Sequence, residues 1–198
     1  MTREGSAISY PRAGIRRPRR PGDLGWVVMA HSEVYAAEFG WNASFEALVA
    51  RIVADHAASN DPAQAAAWIA EMDGRRVGCV FCVAADETTA QLRILLVDPS
   101  AGGRHVGGML VDKRVAFARH AGYERMKLQT NHPLVAARRI CLSRGFKLVQ
   151  EEQHHSFGAD LVGQVYELDL RPCQLAGRAG HRRGQGTYQT GGAGGIGH

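Results

Sequence analysis

Apolar residues at helical spacing begin at residue 24 and form two successive faces. The first face predicts a helix that is capped by Asp23 and ended by Gly40. It consists of Leu24, Val28, His31, Tyr35 and Phe39. A second helix is predicted next, with Ser44 as its cap. Its face consists of Phe45, Leu48, Val49, Ile52, Val53 and His56, and a polar loop at Asn60, Asp61 and Pro62 follows.

Short apolar runs typical of strands follow the loop. The first two are joined by Asp73-Gly74, a dipeptide that favours a hairpin turn. The predicted strands span residues 67–71, 77–84, 92–97, 125–130, 146–150 and 164–170. Helical spacing returns twice, and a glycine ends each segment. These segments are Val106, Leu110, Lys113 and Phe117 before Gly122, and residues 134–144 before Gly145.

The order of these elements is helix, helix, three antiparallel strands, helix, strand, helix and two strands. It predicts a mixed α/β sheet within one domain at residues 21–170. Residues 1–20 are expected to be a basic, disordered lead-in with room for a short strand at residues 15–19. Residues 171–198 are expected to be a disordered tail, because about a third of them are glycine.

Composition places the chain among ordinary soluble proteins. It has 198 residues, of which 45% are hydrophobic and 22% charged. Its apolar runs are all shorter than the roughly eighteen residues of a membrane-spanning helix, so we expect no membrane partner. The N-terminus has no apolar segment of the secretory type, and a cytoplasmic location is therefore predicted.

The net charge of +5 comes from the two ends of the chain. Residues 1–22 contain six Arg and one Glu, and residues 171–198 contain four Arg and no acidic residue. The segment between them is therefore net acidic. Such basic ends bind nucleic acid nonspecifically at most, so specific nucleic-acid binding is not expected.

The four cysteines do not have the spacing of a metal site. Cys79 and Cys82 lie three apart in a predicted strand, so their side chains point to opposite faces. Cys141 and Cys173 are isolated and form no second ligand pair. We expect free, buried thiols and no metal.

The segment from Leu92 to Gly108 carries the main chemical signal. An apolar strand leads through a Pro99 bend into a glycine-rich loop and then a helix, and this order presents free backbone N–H groups to an anion. The loop lacks Gly-Lys-Ser/Thr and the spacing Gly-x-Gly-x-x-Gly. Neither a Walker loop nor a dinucleotide-binding fingerprint is therefore present.

Two stretches of the chain resemble the signatures of one enzyme family. Asp98-Pro99-x-x-Gly102-Gly103-x-x-x-Gly107-x-x-Leu110 is similar to the acyl-CoA pyrophosphate loop of the GNAT superfamily of N-acetyltransferases. Ala137-x-x-x-Cys141-x-x-x-Gly145-Phe146 is similar to its second signature. The resemblance runs from about residue 20 to residue 170. It is closest to the acetyltransferase half of MarR–GNAT fusion proteins, on the runs at residues 20–26, 38–41 and 154–164. No winged helix is expected before Arg20.

The resemblance implies a GNAT-like fold with a splayed central sheet that holds acetyl-CoA. It implies that the pantetheine arm lies between the strands at 92–97 and 125–130, with a backbone N–H near Leu96 or Val97 facing the thioester oxygen. Asn131 is a further candidate contact, although it is equally suited to cap a turn. The resemblance also implies a cradle for the pyrophosphate, which comprises Gly102, Gly103, Arg104, His105, Val106, Gly107 and Gly108.

Three positions depart from the family pattern. Gly102 stands where the family usually has Arg or Gln, and His105 where it has glycine. Cys141 stands where the family has a Tyr that usually protonates the departing thiolate. An unperturbed thiol is acidic enough for that role but shorter than a phenol. Cys141 is therefore either an acid or a packing residue.

The sequence offers several candidates for the acceptor side. Glu38 and Glu71 are candidate general bases, with solvated surface charge as the alternative for each. His154-His155 are predicted to lie in a loop that borders the acceptor, in a structural or a chemical role. Tyr35, Trp41 and Tyr166 are candidates to line the pocket or the core.

The function that we predict is transfer of acetyl from acetyl-CoA to a primary amine, on a small molecule or peptide, in one ternary complex. The alternative is an acyl-CoA-binding sensor or catalytically impaired module, which the three departures favour. A basic nucleic-acid accessory protein is a third option. A homodimer remains open.

Overall fold

Four α-helices and seven strands form within residues 13–59 and 61–172, the part of the chain that the computed structural model describes. The helices are α1 (Asp23–Phe39), α2 (Ala43–Ala58), α3 (Val106–His120) and α4 (Val135–Leu142). The strands are β1 (Gly14–Arg16), β2 (Ala66–Met72), β3 (Arg75–Ala84), β4 (Thr89–Val97), β5 (Arg125–Asn131), β6 (Lys147–Ser156) and β7 (Ala159–Asp169). The predictions for residues 1–12, Asn60, Cys173 and the rest of the tail lie outside the described residues.

All seven strands belong to one sheet in the order β1-β2-β3-β4-β5-β7-β6. The β4–β5 pair is parallel, and every other neighbouring pair is antiparallel. The predicted mixed α/β fold is confirmed, including its three consecutive antiparallel strands. The parallel pair requires a crossover, and α3 provides it.

A separate hydrophobic core covers each face of the sheet. Helices α3 and α4 pack on one face, called the α3 face, around Leu110 and Met126. Helices α1 and α2 pack on the other, called the α1/α2 face, around Val49 and Phe81. Cys79 belongs to the α1/α2 core and Cys82 to the α3 core, so the predicted opposite orientation is confirmed. Cys79, Cys82 and Cys141 are buried free thiols.

The predicted caps of the first two helices are wrong in position. Gly22 caps α1 at a φ of 83°, and Asp23 lies inside the first turn. The buried Asp23 carboxylate instead accepts hydrogen bonds from the Arg16 guanidinium and the Arg20 amide. Asn42 caps α2, and its side-chain oxygen accepts the Ser44 amide at 3.0 Å.

The last two strands are longer than predicted and form a hairpin. Phe157 and Gly158 make a two-residue turn at φ values of 60° and 82°, a geometry that suits the twist of paired strands. His154 and His155 therefore lie in β6 and not in a loop. The hydrophobic pattern did not predict the full length of β6, because nearly all of this strand is polar and exposed. Smaller shifts affect β1, predicted at 15–19, and α4, predicted at 134–144.

Candidate active site

A β-bulge in β4 creates the opening at the centre of the sheet. Val80 of β3 pairs with Leu95 and Cys82 with Leu92, so two residues of β4 lie opposite one residue of β3. Across the bulge, the alternation of β4 side chains between the two faces of the sheet is shifted by one residue. Leu92 belongs to the α3 core, whereas Ile94, two residues later, belongs to the α1/α2 core.

Strands β4 and β5 separate beyond this point. They pair only between Thr89–Leu92 and Arg125–Leu128. Beyond those residues β5 continues to pair with β7, and β4 with β3. The remaining half of β4, which includes Leu96 and Val97, therefore has no strand on its β5 side within the described chain. Leu96 is buried on the α1/α2 face, and Val97 packs against the α3 core.

A cavity of about 460 Å³ lies at this separation. Side chains on both faces of the sheet line it: Cys141 of α4 belongs to the α3 core, whereas Leu134 and residues of α1 and α2 lie on the α1/α2 face. The cavity therefore adjoins both faces of the sheet. This is the geometry that a two-substrate transfer needs, because both reactants must be held in contact.

Aromatic side chains form the α1/α2 end of the cavity. The Tyr35 and Phe45 rings stack with centroids 4.6 Å apart, and Trp41 meets Phe45 edge-on at 4.7 Å. Phe157, from the β6–β7 turn, lies 4.9 Å from Trp41. Tyr35 and Trp41 thus both line the cavity and contribute to the core. Tyr166 lies in the α3 core and donates a hydrogen bond to Gln164.

Polar side chains of β6 form another wall of the cavity. Gln150, Glu152 and His154 alternate along the strand and so face the same side. Glu152 is exposed, which leaves its carboxylate accessible. Reasoning from the sequence missed Glu152. The alternation would have identified it if residues 150–156 had been predicted as a strand.

Hydrogen bonds on both ring nitrogens hold His154 in place. Nε2 lies 3.0 Å from Asn131 Oδ1, and Nδ1 lies 2.9 Å from Ser156 Oγ. A side chain at Gly163 would begin only 3.1 Å from Nε2, so the glycine provides the space that the ring occupies. The Asn131 side-chain oxygen thus engages His154, and the predicted contact of Asn131 with the cofactor stays a prediction. His155 pairs with exposed Asp160 at 2.7 Å.

Several free backbone amides lie in the loop between β4 and α3 and in the first turn of α3. Within the described residues, the amides of Gly103, His105, Val106, Gly107 and Gly108 have no hydrogen-bond acceptor. Three of them open α3, where the first amides of any helix lack intrahelical partners and the dipole is positive. The sequence predicted free amides at this point, and amides so arranged are suited to bind an anion.

Two members of the predicted cradle differ from the rest. The amide of Gly102 donates to Pro99 at 3.0 Å, and that of Arg104 donates to Ala101 at 3.4 Å. Gly102 has an ordinary φ of −54°, whereas Gly103 has a φ of 73°, in the region that favours glycine. The exposed Arg104 side chain is still free to contact an anion. His105 is exposed and caps α3 in the left-handed region, at a φ of 60°.

Gly107 and Gly108 let α4 approach the start of α3. A Cβ atom at Gly107 would lie 2.6 Å from Ile140 Cδ1, and one at Gly108 would overlap the Arg144 guanidinium. Arg144 in turn pairs with Asp112 of α3 at 2.7 Å. These glycines thus serve helix packing as well as any bound anion.

The Cys141 thiol is buried on the wall of the cavity. Burial raises its pKa to about 11, although the positive charge of Arg114 opposes the shift. The thiol is therefore protonated at neutral pH. It is also a weaker acid than the unperturbed thiol assumed from the sequence.

The structure places both predicted bases away from the cavity. Glu71 lies in β2 and accepts hydrogen bonds from Arg16 at 2.7 Å and Arg20 at 3.0 Å. These cations lower the pKa of Glu71, which makes it a poorer base. Glu38 is exposed on α1 and does not line the cavity. We assign neither residue to the site.

The described residues contain no group of three or more His, Cys, Asp or Glu arranged to hold a metal ion. Among the described helices, none combines the length and the apolar character that a bilayer crossing requires.

Solved structures with the same fold are acetyltransferases by name. YncA of Salmonella typhimurium, described as an acetyltransferase and solved with its cofactor acetyl-CoA, has a TM-score of 0.66 at 18% identity, over 84% of this chain and 99% of that one. The ribosomal-protein-S18-alanine N-acetyltransferase of Escherichia coli has a TM-score of 0.62 at 15% identity, over 83% and 97%. The ribosomal-protein-alanine N-acetyltransferase of Brucella melitensis has a TM-score of 0.64 at 16% identity, over 78% and 98%.

Sequence comparison gives the family directly. No curated protein sequence matches the chain. The model of the acetyltransferase (GNAT) family matches residues 28–146, a span that begins in α1 and ends just after α4. That span includes the bulged strand, the free amides and the separation of β4 from β5. The chain therefore belongs to the acetyltransferase (GNAT) family.

Proposed function

We propose that the chain transfers an acetyl group from acetyl-CoA to a primary amine, on a small molecule or peptide, within one ternary complex. The main support for the proposal is that two features adjoin: the separation of β4 from β5, and the free amides at the start of α3. The separation of β4 from β5 lies at the end of the strand that leads into the free amides of α3. One extended ligand with a diphosphate and an acyl arm fits both features.

The amides of Gly103 and of residues 105–108 would hold the diphosphate, assisted by the α3 dipole and the Arg104 side chain. A backbone N–H of Leu96 or Val97, on the unpaired half of β4, would stabilise the negative charge that develops on the thioester oxygen. Acetyl-CoA supplies the activated acetyl group. The amine would approach from the α1/α2 face.

Two side chains on the cavity wall are suited to the proton transfers. Glu152 would accept the proton that the amine nitrogen loses as it bonds to the acetyl carbon. Cys141 would donate a proton to the CoA sulfur as the carbon–sulfur bond breaks, and it carries that proton at neutral pH. The thiolate that forms on Cys141 would then regain a proton from solvent.

The second candidate is an acyl-CoA-binding module that does not turn over. The raised pKa of Cys141 favours it, because an acid weaker than its predicted value slows the departure of the thiolate. The similarity to the acetyltransferase half of MarR–GNAT fusions, a cytoplasmic location and a homodimer remain predictions.

Calorimetric titration with acetyl-CoA, followed by measurement of free CoA over a panel of amines, separates these candidates. The enzyme predicts binding and amine-dependent release of CoA. The module predicts binding alone. Failure to bind acetyl-CoA at millimolar concentration would contradict both.

A further inference from the structure

A buried histidine borders the aromatic end of the cavity. His31 is 1% exposed, yet it lines the cavity between α1 and the open half of β4. Its ring stacks on Tyr35 with centroids 5.8 Å apart and lies 6.4 Å from Phe45. The Tyr35 hydroxyl lies 3.5 Å from the Leu95 carbonyl oxygen. The Tyr35 ring therefore lies between His31 and β4, the strand where transfer would occur.

The hydrogen bonds of His31 fix which ring nitrogen carries the proton. Nδ1 lies 2.7 Å from the Val27 carbonyl oxygen, which can only accept, so Nδ1 must donate. Burial lowers the pKa of His31 to about 4, so the ring is neutral at pH 7. Nε2 consequently presents a lone pair and no proton.

That lone pair has no donor within the described part of the chain. His31 Nε2 is shielded from solvent and has no hydrogen-bond partner. Buried polar atoms in native proteins are nearly always paired, and one that is not requires an explanation. A ligand donor delivered through the cavity would supply the missing partner.

We propose that His31 Nε2 accepts a hydrogen bond from the acceptor substrate, and that this substrate is a primary amine carried by an aromatic ring that bears its own N–H or O–H donor. The inference rests on the proposed function and names its substrate class. The ring of this substrate would lie against the aromatic wall of Tyr35, Trp41 and Phe45, and Nε2 would accept from the donor at the far end of that ring. The amine then lies at the opposite end, towards β4.

Paired analogues test this subsite in the unaltered protein. Tyramine carries a ring hydroxyl, and phenethylamine is the same molecule without it. We expect tyramine to bind about tenfold more tightly, because phenethylamine leaves the buried acceptor unpaired. Tryptamine is expected to exceed 1-methyltryptamine in the same way. Equal affinities within both pairs would overturn the proposal.

A His31→Phe variant tests whether the preference for tyramine depends on His31. It removes the lone pair and keeps a flat ring, so the preference for tyramine should disappear while phenethylamine binds at least as well as before. A preference that survives in His31→Phe would overturn the proposal. If the variant does not fold, the nitrogen resonance of His31 Nε2 in the unaltered protein gives a second test. It should move on addition of tyramine and stay in place on addition of phenethylamine.

Binding and turnover are scored separately, so the two proposals can fail independently. Selective tyramine binding without release of CoA would contradict the enzyme and support the subsite. Release of CoA with other amines, together with equal binding of the analogues, would support the enzyme and contradict the subsite.

Discussion

The two halves of the site are built from different parts of the chain. The cofactor region, residues 102–108, is one consecutive stretch of chain, and the free backbone amides of Gly103 and residues 105–108 are those proposed to bind the diphosphate. The acceptor region consists of side chains brought together from α1, α2, β6 and the β6–β7 turn. Backbone amides tolerate many side chains, so Gly102 and His105 can depart from the family pattern without loss of the free N–H groups. The proposed acceptor region depends on individual side chains, and we therefore expect specificity to be set there.

The largest effect that we predict falls in the acceptor region. Glu152→Gln removes the only acidic side chain on the cavity wall among the described residues, and we expect kcat to fall about a hundredfold or more. The affinity for acetyl-CoA should not change, because Glu152 lies on β6, away from the free amides. Steady-state kinetics with calorimetry would measure both quantities.

Glu38→Gln is the matched control for that variant. It removes the same charge from an exposed site on α1 outside the cavity, and kcat should be unchanged. Equal kcat losses in the two variants would show that net charge, and not a placed base, controls the rate. An unchanged kcat in Glu152→Gln would remove Glu152 from the mechanism.

The contrast between the regions also explains what the sequence could predict. The order of helices and strands, the mixed sheet and the glycine loop follow from local periodicity and contiguous motifs. The free amides were predictable because helix starts are local features. The predicted bases Glu38 and Glu71 do not line the cavity. The partners of Glu71, Arg16 and Arg20, are more than fifty residues away in sequence, and only the sheet brings them together.

The roles proposed for Glu152 and His31 could not be predicted from the sequence, for different reasons. The polar, exposed β6 lacks the alternation of apolar residues that marks a strand, so the face that Glu152 occupies could not be assigned. His31 was placed correctly on the apolar face of α1. Its unpaired Nε2 depends on packing against α2 and the sheet, which no local pattern encodes.

The pH dependence of stability gives the second largest effect and tests the state of His31. Its folded pKa of about 4 lies below the ordinary value of 6.5, so the unfolded chain binds more protons between these values. Stability contributed by the neutral ring is therefore present above pH 6.5 and is lost as the pH falls towards 4. The loss amounts to about 3 kcal/mol.

Urea denaturation at pH 7 and pH 4.5 would measure this loss. His31→Phe should lose less stability than the unaltered protein over that interval, because its ring cannot be protonated. The half-buried His56, whose pKa burial also lowers, is present in both proteins and cancels in the difference. Identical losses in the two proteins would mean that His31 is not held neutral, and its lone pair would then be unavailable to a substrate.

The smallest predicted effect concerns the cofactor region and tests the contribution of its backbone amides to acetyl-CoA binding. Gly103→Val places a β-branched residue at a φ of 73°, where such residues are strained, although a side chain there meets nothing within 4 Å. The loop should relax and misplace the amides that follow. We expect the affinity for acetyl-CoA to fall about tenfold, which corresponds to about 1.4 kcal/mol. Calorimetry would measure it.

Gly122→Val separates lost binding from general destabilisation. Gly122 follows α3 at a φ of 85° and also has open space around it, so both variants should lose a similar free energy of unfolding, of about 1–3 kcal/mol. Only Gly103→Val should weaken acetyl-CoA binding, because only Gly103 precedes the free amides. If both variants bound acetyl-CoA equally well, the amides would not hold the diphosphate. The cofactor region would then have to depend on side chains, as the acceptor region does.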